Sequence, residues 1–412
     1  MKKPEVLAPA GNLEKLKVAV LYGADAVYLG GQAFNLREGA DNFTIEEMKE
    51  GLEFAHKRGV KVYVTVNIIP HNRDFANLPT YLKQLADLGV DAVIVSDPGI
   101  LTMVKEVIPG MEIHLSTQAN AVNWRSVKFW HEQGVDRVIL ARELSLKEIK
   151  EIRKKVPEVG LEAFVHGAMC ISYSGRCLLS NYMANRNANL GKCAQSCRWK
   201  YALVEEKRPG HYYPVFEDER GTYIFNSKDL CMIEYIPQLV QSGLDSFKIE
   251  GRMKSLHYVA TVTYVYRQAV DRYVKDPENY EFDPIWLEEL KKVSHRHYTT
   301  GFYFDPPGPE DHNYETSAYV RNYDFMGFVR DYLPETKEAV VEVRSKFFKG
   351  DRVEIFGPQT RVFTTELTYI KDEDDNEIEE APHPHQIIRI PVKYPVKRFD
   401  MVRREKPERE AD

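Results

Sequence analysis

The chain has 412 residues, of which 43% are hydrophobic and 29% charged, and a formal net charge of -6. These values fit a soluble globular protein, and the length is too great for one small domain. A negative balance excludes global attraction to nucleic acid, so any RNA contact needs a local basic patch.

Met1-Lys-Lys-Pro-Glu5 runs straight into a short apolar strand and offers no signal-peptide core. No apolar run is long enough to span a bilayer, so the expected compartment is the reducing cytoplasm, with no membrane partner. One phrase then recurs: Gly23-Ala-Asp-Ala-Val-Tyr-Leu-Gly30, Gly89-Val-Asp-Ala-Val-Ile-Val-Ser-Asp97, Gly134-Val-Asp-Arg-Val-Ile-Leu-Ala-Arg142 and Gly243-Leu-Asp-Ser-Phe-Lys-Ile-Glu-Gly251. Glycine closes a helix, a turn carries Asp, and an apolar run follows as a buried parallel strand. Amphipathic helices fill the gaps, including Thr44 to Arg58, Leu78 to Leu88 and Ser145 to Val156. Thr44 with Glu47 and Ser145 with Glu148 have capping-box spacing.

The strands predicted are Glu5–Ala8, Ala26–Leu29, Lys61–Val66, Ala92–Val95, Glu112–Ser116, Arg137–Ala141, Leu161–Val165 and Ser246–Ile249. Eight strands alternating with helices point to a TIM-like (β/α)8 barrel, with a cysteine-rich insertion after the seventh strand. An open doubly wound sheet is the alternative, but no Gly-x-Gly-x-x-Gly follows the first strand. A barrel would gather its strand-end residues at one mouth: Asn67, Asp97, Ser116-Thr117-Gln118, Arg142-Glu143, His166 and Glu250-Gly251-Arg252.

A long helix from Ser255 to about Val274 and another from Ile285 to Val293 come next. Gly301-Phe-Tyr-Phe-Asp-Pro-Pro-Gly-Pro reads as a linker, after which alternating strands such as Val340–Val343, Arg352–Ile355 and Gln386–Ile390 predict a small all-β barrel. The domains expected are 1–305, with the insertion at 168–231, then 316–405, and a charged tail at 406–412.

All five cysteines, Cys170, Cys177, Cys193, Cys197 and Cys231, lie in the inserted stretch. Only Cys193-Ala-Gln-Ser-Cys197 has zinc-knuckle spacing. A nucleophilic cysteine would need a positioned base, and an iron–sulfur cluster would need four thiolates with irregular spacing tolerated. Spacing leaves zinc, cluster and thiol catalysis open.

Glu162-Ala-Phe-Val-His-Gly-Ala-Met-Cys170-Ile-Ser-Tyr-Ser-Gly175-Arg-Cys177-Leu-Leu-Ser180 resembles the signature of the collagenase-like peptidase family U-32. So do Pro4-Glu-Val-Leu-Ala-Pro-Ala-Gly-Asn12, Ser116-Thr-Gln118, Gly191-Lys-Cys-Ala-Gln-Ser-Cys-Arg198 and Phe247-Lys-Ile-Glu-Gly-Arg-Met253, so the resemblance covers nearly the whole chain. Within the family the chain is similar to the subgroup that helps make 5-hydroxyuridine at the tRNA wobble position. The resemblance implies prephenate as oxygen donor in place of dioxygen. It also implies a 4Fe–4S cluster on Cys170, Cys177, Cys193 and Cys231, with Cys197 as the alternative to Cys193.

Arg142 and Arg252 are the candidates for holding a dicarboxylic acid, since guanidinium groups bind carboxylates bidentately. His166 is a candidate proton donor, and Lys248 is expected beside the cluster. For tRNA, Cys197-Arg-Trp-Lys-Tyr201, Lys393-Tyr-Pro-Val-Lys-Arg398 and Arg403-Arg404 mix cations with rings able to stack on bases. Two other functions are compatible with the resemblance. One is a peptidase, although neither an activated nucleophile nor a hydrolytic metal motif is legible. The other is an RNA-binding scaffold paired with a shorter paralogue that performs the chemistry.

Overall fold

The computed structural model describes residues 2–35, 41–169, 184, 194, 202–204, 212–214, 228–305 and 319–406. Eight parallel strands close on themselves: β1 (Glu5–Pro9), β2 (Ala26–Gly30), β3 (Lys61–Val66), β4 (Ala92–Val95), β5 (Glu112–Leu115), β6 (Arg137–Ile139), β7 (Gly160–Ala168) and, after an insertion, β11 (Ser246–Ile249). The last strand pairs with both β1 and β7, which closes the expected TIM-like barrel.

The repeated Gly-x-Asp phrase has a structural use beyond marking a turn. Gly23, Gly89, Gly134 and Gly243 all take the left-handed backbone conformation that ends a helix at low cost. The aspartate two residues on then accepts the backbone N–H of the neighbouring strand. Asp25 takes Val6 at 2.8 Å, Asp91 takes Val62 at 2.7 Å, Asp136 takes Ile113 at 2.8 Å and Asp245 takes Leu161 at 2.9 Å. Each second strand is thereby stapled to its predecessor at the end opposite the mouth.

The outer layer is α1 (Leu13–Leu21), α2 (Ile45–His56), α3 (Leu78–Leu88), α4 (Pro98–Val107), α5 (Trp124–Glu132), α6 (Leu146–Lys155), α7 (Ile236–Gln241) and α8 (Leu256–Lys275). Both predicted capping boxes form, at Thr44 with Glu47 and at Ser145 with Glu148. The helix α9 (Pro284–Lys291) follows α8.

The insertion contributes a hairpin, β8 (Ala202–Val204) with β9 (Tyr212–Pro214), and the short strand β10 (Asp229–Cys231). β10 runs antiparallel to the mouth end of β7, and β12 (Tyr298–Thr299) pairs with it in turn. Cys231 therefore ends a strand. Three residues are too few for strand propensity to show; the open edge of β7 specifies the pairing.

The C-terminal domain is all-β, as expected. Its main sheet has the antiparallel order β17 (Thr360–Glu366), β16 (Arg352–Gly357), β20 (Met401–Glu405), β13 (Tyr323–Leu333), β14 (Glu338–Val343) and β19 (Ile387–Pro391). The short pair β15 (Phe347–Phe348) and β18 (Glu380–Ala381) flanks it. Glu405, the last residue of that domain, pairs with Tyr323.

Val18, Tyr22, Leu256 and Ala260 of the barrel pack against Phe328, Phe356, Phe399 and Met401 of the β domain. Arg403, expected on the surface, is fully buried at this seam, bonded to Glu354 at 2.9 Å and Glu289 at 3.0 Å. Its carboxylates come from distant parts of the chain, which sequence patterning does not reveal.

Candidate functional site

The barrel interior carries two charged layers. The lower one is built from the first three residues of several strands. Arg137 meets Glu5 at 2.7 Å and Glu162 at 3.2 Å, and Lys248 meets Glu162 at 2.7 Å. Tyr63 donates to Glu5 at 2.8 Å. Burial disfavours the Glu162 anion, but Lys248 and Arg137 outweigh it and hold the carboxyl down to about 2. Lys248 thus belongs to a sealed structural network below the mouth, with its ammonium also over the Tyr28 ring at 4.3 Å. The fold does not bring it to the open end.

The upper layer is the mouth itself. Arg252, three residues beyond β11, is buried and donates to Asn42 Oδ1 at 2.5 Å, Asn35 Oδ1 at 3.3 Å and Thr65 Oγ1 at 3.4 Å. Glycines at 11 and 30 make this possible, because a Cβ at Gly11 would strike the Arg252 carbonyl and one at Gly30 its guanidinium. Asn35 and Asn42 were not singled out by sequence reasoning; they carry no motif and act only through the fold.

Arg142 lies three residues beyond β6, bonded to Glu250 at 3.1 Å with its guanidinium 3.9 Å from the centre of the Phe164 ring. Both candidate arginines therefore end their strands at the mouth. Several other expected mouth residues are helix and turn caps: Asp97 accepts from Gly99 and Ile100, and Ser116 from Gln118. Asn67 donates to Ser116 at 3.3 Å.

His166 departs from the expected position. Gly167 is left-handed, and the β7–β11 register shifts between Lys248 and Ile249. The imidazole sits among the rings of Tyr258 and Tyr266 on α8 and Tyr298 on β12, at 5.5 to 5.9 Å between centres. Burial, then His295 and Lys254, push it down to about 3, so it is neutral. It shapes the wall behind Cys231, its partner across the β7–β10 ladder.

Cys231 is the one cysteine among the described residues; Cys170, Cys177, Cys193 and Cys197 lie outside them, as does Cys197-Arg-Trp-Lys-Tyr201. Its thiol is pushed up to about 12 by burial, against hydrogen bonds from the Ile233 backbone and the Tyr266 hydroxyl. It lines a cavity of about 530 Å³. Among the described residues no three His, Cys, Asp or Glu side chains converge on a metal position. A single soft thiol at a cavity wall fits one ligand of a soft metal centre, which would displace its proton on binding.

A (β/α)8 barrel with a cysteine insertion and an appended β domain defines a class, and the comparisons give it a family. Residues 11–313 match the family model "Peptidase family U32", and 321–403 match "Peptidase family U32 C-terminal domain". The chain belongs to this family. Within it, the chain is 49% identical to tRNA hydroxylation protein P1 of Bacillus subtilis, over 98% of this chain and 96% of that one. It is 37% identical to tRNA hydroxylation protein P2 of the same organism, over 74% of this chain and 98% of the shorter relative. It is also 33% identical to a protein named Collagenase from Porphyromonas gingivalis, over 97% of each. Among the described residues no helix is long and apolar enough to cross a membrane.

Proposed function

We propose that this protein modifies tRNA, hydroxylating the wobble uridine to 5-hydroxyuridine with prephenate as oxygen donor and a 4Fe–4S cluster as cofactor. The observation that carries the reading is likeness to a tRNA hydroxylation protein at 49% identity across both domains. Cys170, Cys177, Cys193 and Cys231 would hold the cluster, which when bound supplies redox or Lewis-acid chemistry at iron. Arg142 and Arg252 would hold the two carboxylates of the acid at the mouth; Glu250 orients the first, and Asn35, Asn42 and Thr65 orient the second. The tyrosine cage around His166 keeps water from the wall behind Cys231. Exposed Lys393, Tyr394, Lys397 and Arg398 on the β domain offer a cationic, aromatic surface to the RNA. The shorter relative P2 beside P1 in one organism supports pairing with a shorter paralogue.

Peptidase activity is the second reading, favoured by the relative named Collagenase. Against it, the Cys231 thiol is strongly protonated, and His166 contacts tyrosines where a base would need a nucleophile. Mass spectrometry of tRNA nucleosides from a deletion strain with no redundant pathway tests the leading function. The strain is expected to lose 5-hydroxyuridine, regain it with wild type and not with Cys231→Ala. Undiminished hydroxylation in the deletion strain would refute the assignment.

A further inference from the structure

The cavity that Cys231 lines is assigned only the proposed cluster, at its Cys231 wall, and no organic occupant. Its volume of about 530 Å³ is that of a small-molecule site. Tyr235 and Tyr298 line it, and the Tyr235 ring meets the half-exposed ring of Phe304 at 4.7 Å. His295 also lines it, is only 6% exposed, and leaves Nδ1 without a hydrogen-bond partner among the described residues. A buried ring nitrogen left so is costly unless an occupant supplies the missing bond. Asn322 adds an amide that both donates and accepts.

The lining argues against a dicarboxylic acid. Glu234 lines the same space, and the Lys291 ammonium is held by Glu288 at 2.9 Å. Aromatic walls, a ring nitrogen and an amide suit a planar, uncharged ligand with mixed donors and acceptors. Exposed His297 puts a ring nitrogen at the rim for phosphate oxygens.

We propose that this cavity receives one unpaired pyrimidine base of the RNA, extruded from its stack, with Tyr235 as stacking platform. The inference rests on the tRNA reading above and deepens it: the base enters beside Cys231, whereas the acid is held at the barrel mouth. Extrusion is the general route by which an enzyme reaches a base atom that stacking hides.

The test uses the full chain with its metal loaded and full-length tRNA, either intact or lacking the base at the wobble position. Base removal is expected to weaken wild-type binding about 5- to 150-fold, the range of one base–aromatic stack. Tyr235→Ala should lose a similar factor with intact tRNA and none with abasic tRNA, and Tyr235→Phe should restore it. Iron content and the visible spectrum should be unchanged throughout. Equal weakening toward both RNAs, or toward neither, overturns the inference. So does loss of prephenate binding in Tyr235→Ala with both RNAs bound normally, because the acid would then occupy the cavity. If Tyr235→Ala does not fold, Asn322→Ala read on the same two RNAs decides. Failure of wild type to bind any tRNA would instead remove the proposed function itself.

Discussion

The closed end of the barrel and the Arg252 pocket at its mouth treat charge in opposite ways, although Arg142 beside that pocket is paired with Glu250. At the closed end every cation of the buried layer meets a carboxylate: Arg137 on Glu5 and Glu162, and Lys248 on Glu162. At the mouth, Arg252 is oriented by the amides of Asn35 and Asn42 and the Thr65 hydroxyl. A carboxylate fixes a cation by neutralising it, whereas an amide or hydroxyl fixes its direction and leaves the charge available. The first arrangement replaces a hydrophobic core layer; the second suits an anionic ligand.

The comparison breaks most sharply at Glu162. Glu162→Ala leaves Lys248 and part of Arg137 buried without their anion, and should destabilise the fold by about 3–5 kcal/mol in urea unfolding. The acid limb of stability should change as well. The Glu162 carboxyl is held at about 2 in the folded protein, below its unfolded value, so its contribution is full above that unfolded value. It is lost as pH falls toward 2. The variant should show a shallower acid decline than wild type.

Arg252→Lys probes the mouth. It keeps the charge but loses the planar fork that reaches three acceptors at once. On the proposed reading, hydroxylation with prephenate as donor should fall about 10- to 100-fold through a raised KM for the acid, with unfolding far less affected than in Glu162→Ala. An unchanged KM would mean that the open end, like the closed one, uses its arginine only structurally.

The two ends also differ in what their sequence disclosed. The closed end repeats Gly-x-Asp before β2, β4, β6 and β11, and the repeat is legible because three of the four staples join strands 19 to 29 positions apart, while Asp245 reaches Leu161 across 84. The mouth depends on contacts between residues far apart: Arg252 with Asn42, 210 positions away, and Arg142 with Glu250, 108 away. Strand ends could be read, but side-chain direction could not. His166 turned outward because of the left-handed Gly167 beside it and the register shift in β11, and neither breaks the apolar pattern. Cys231 became a strand because β7 offered an edge, a tertiary fact invisible in three residues.

A smaller effect lies at the seam between barrel and β domain. His257 stacks on Phe325 at 5.7 Å, and burial, then Arg403 and Lys292, push its pKa well below the usual imidazole value. The folded protein keeps it neutral while the unfolded chain takes a proton below about pH 6.5. Its stabilising contribution is therefore complete above that pH and lost as pH falls, at up to about 1.4 kcal/mol per pH unit. His257→Phe should remove about 1 kcal/mol of the difference in unfolding free energy between pH 7.5 and 5.5.

The smallest effect expected also tests whether the β domain is docked through α1 or only tethered beside it. The Tyr22 hydroxyl, just past the end of α1, donates to the Phe399 carbonyl at 2.9 Å across 377 residues of chain. Tyr22→Phe keeps the ring contacts with Phe356 and Tyr264 and deletes that hydrogen bond together with a longer one to the Phe356 carbonyl at 3.4 Å. The Phe399 carbonyl then loses its donor in a buried seam, which should cost about 1 kcal/mol. If the domains unfold as one unit, urea unfolding followed by barrel and β-domain probes should shift together by that amount. A shift confined to the β-domain probe would show that the seam joins two independently folding halves, with the mouth's charge arrangement owing nothing to the domain beside it.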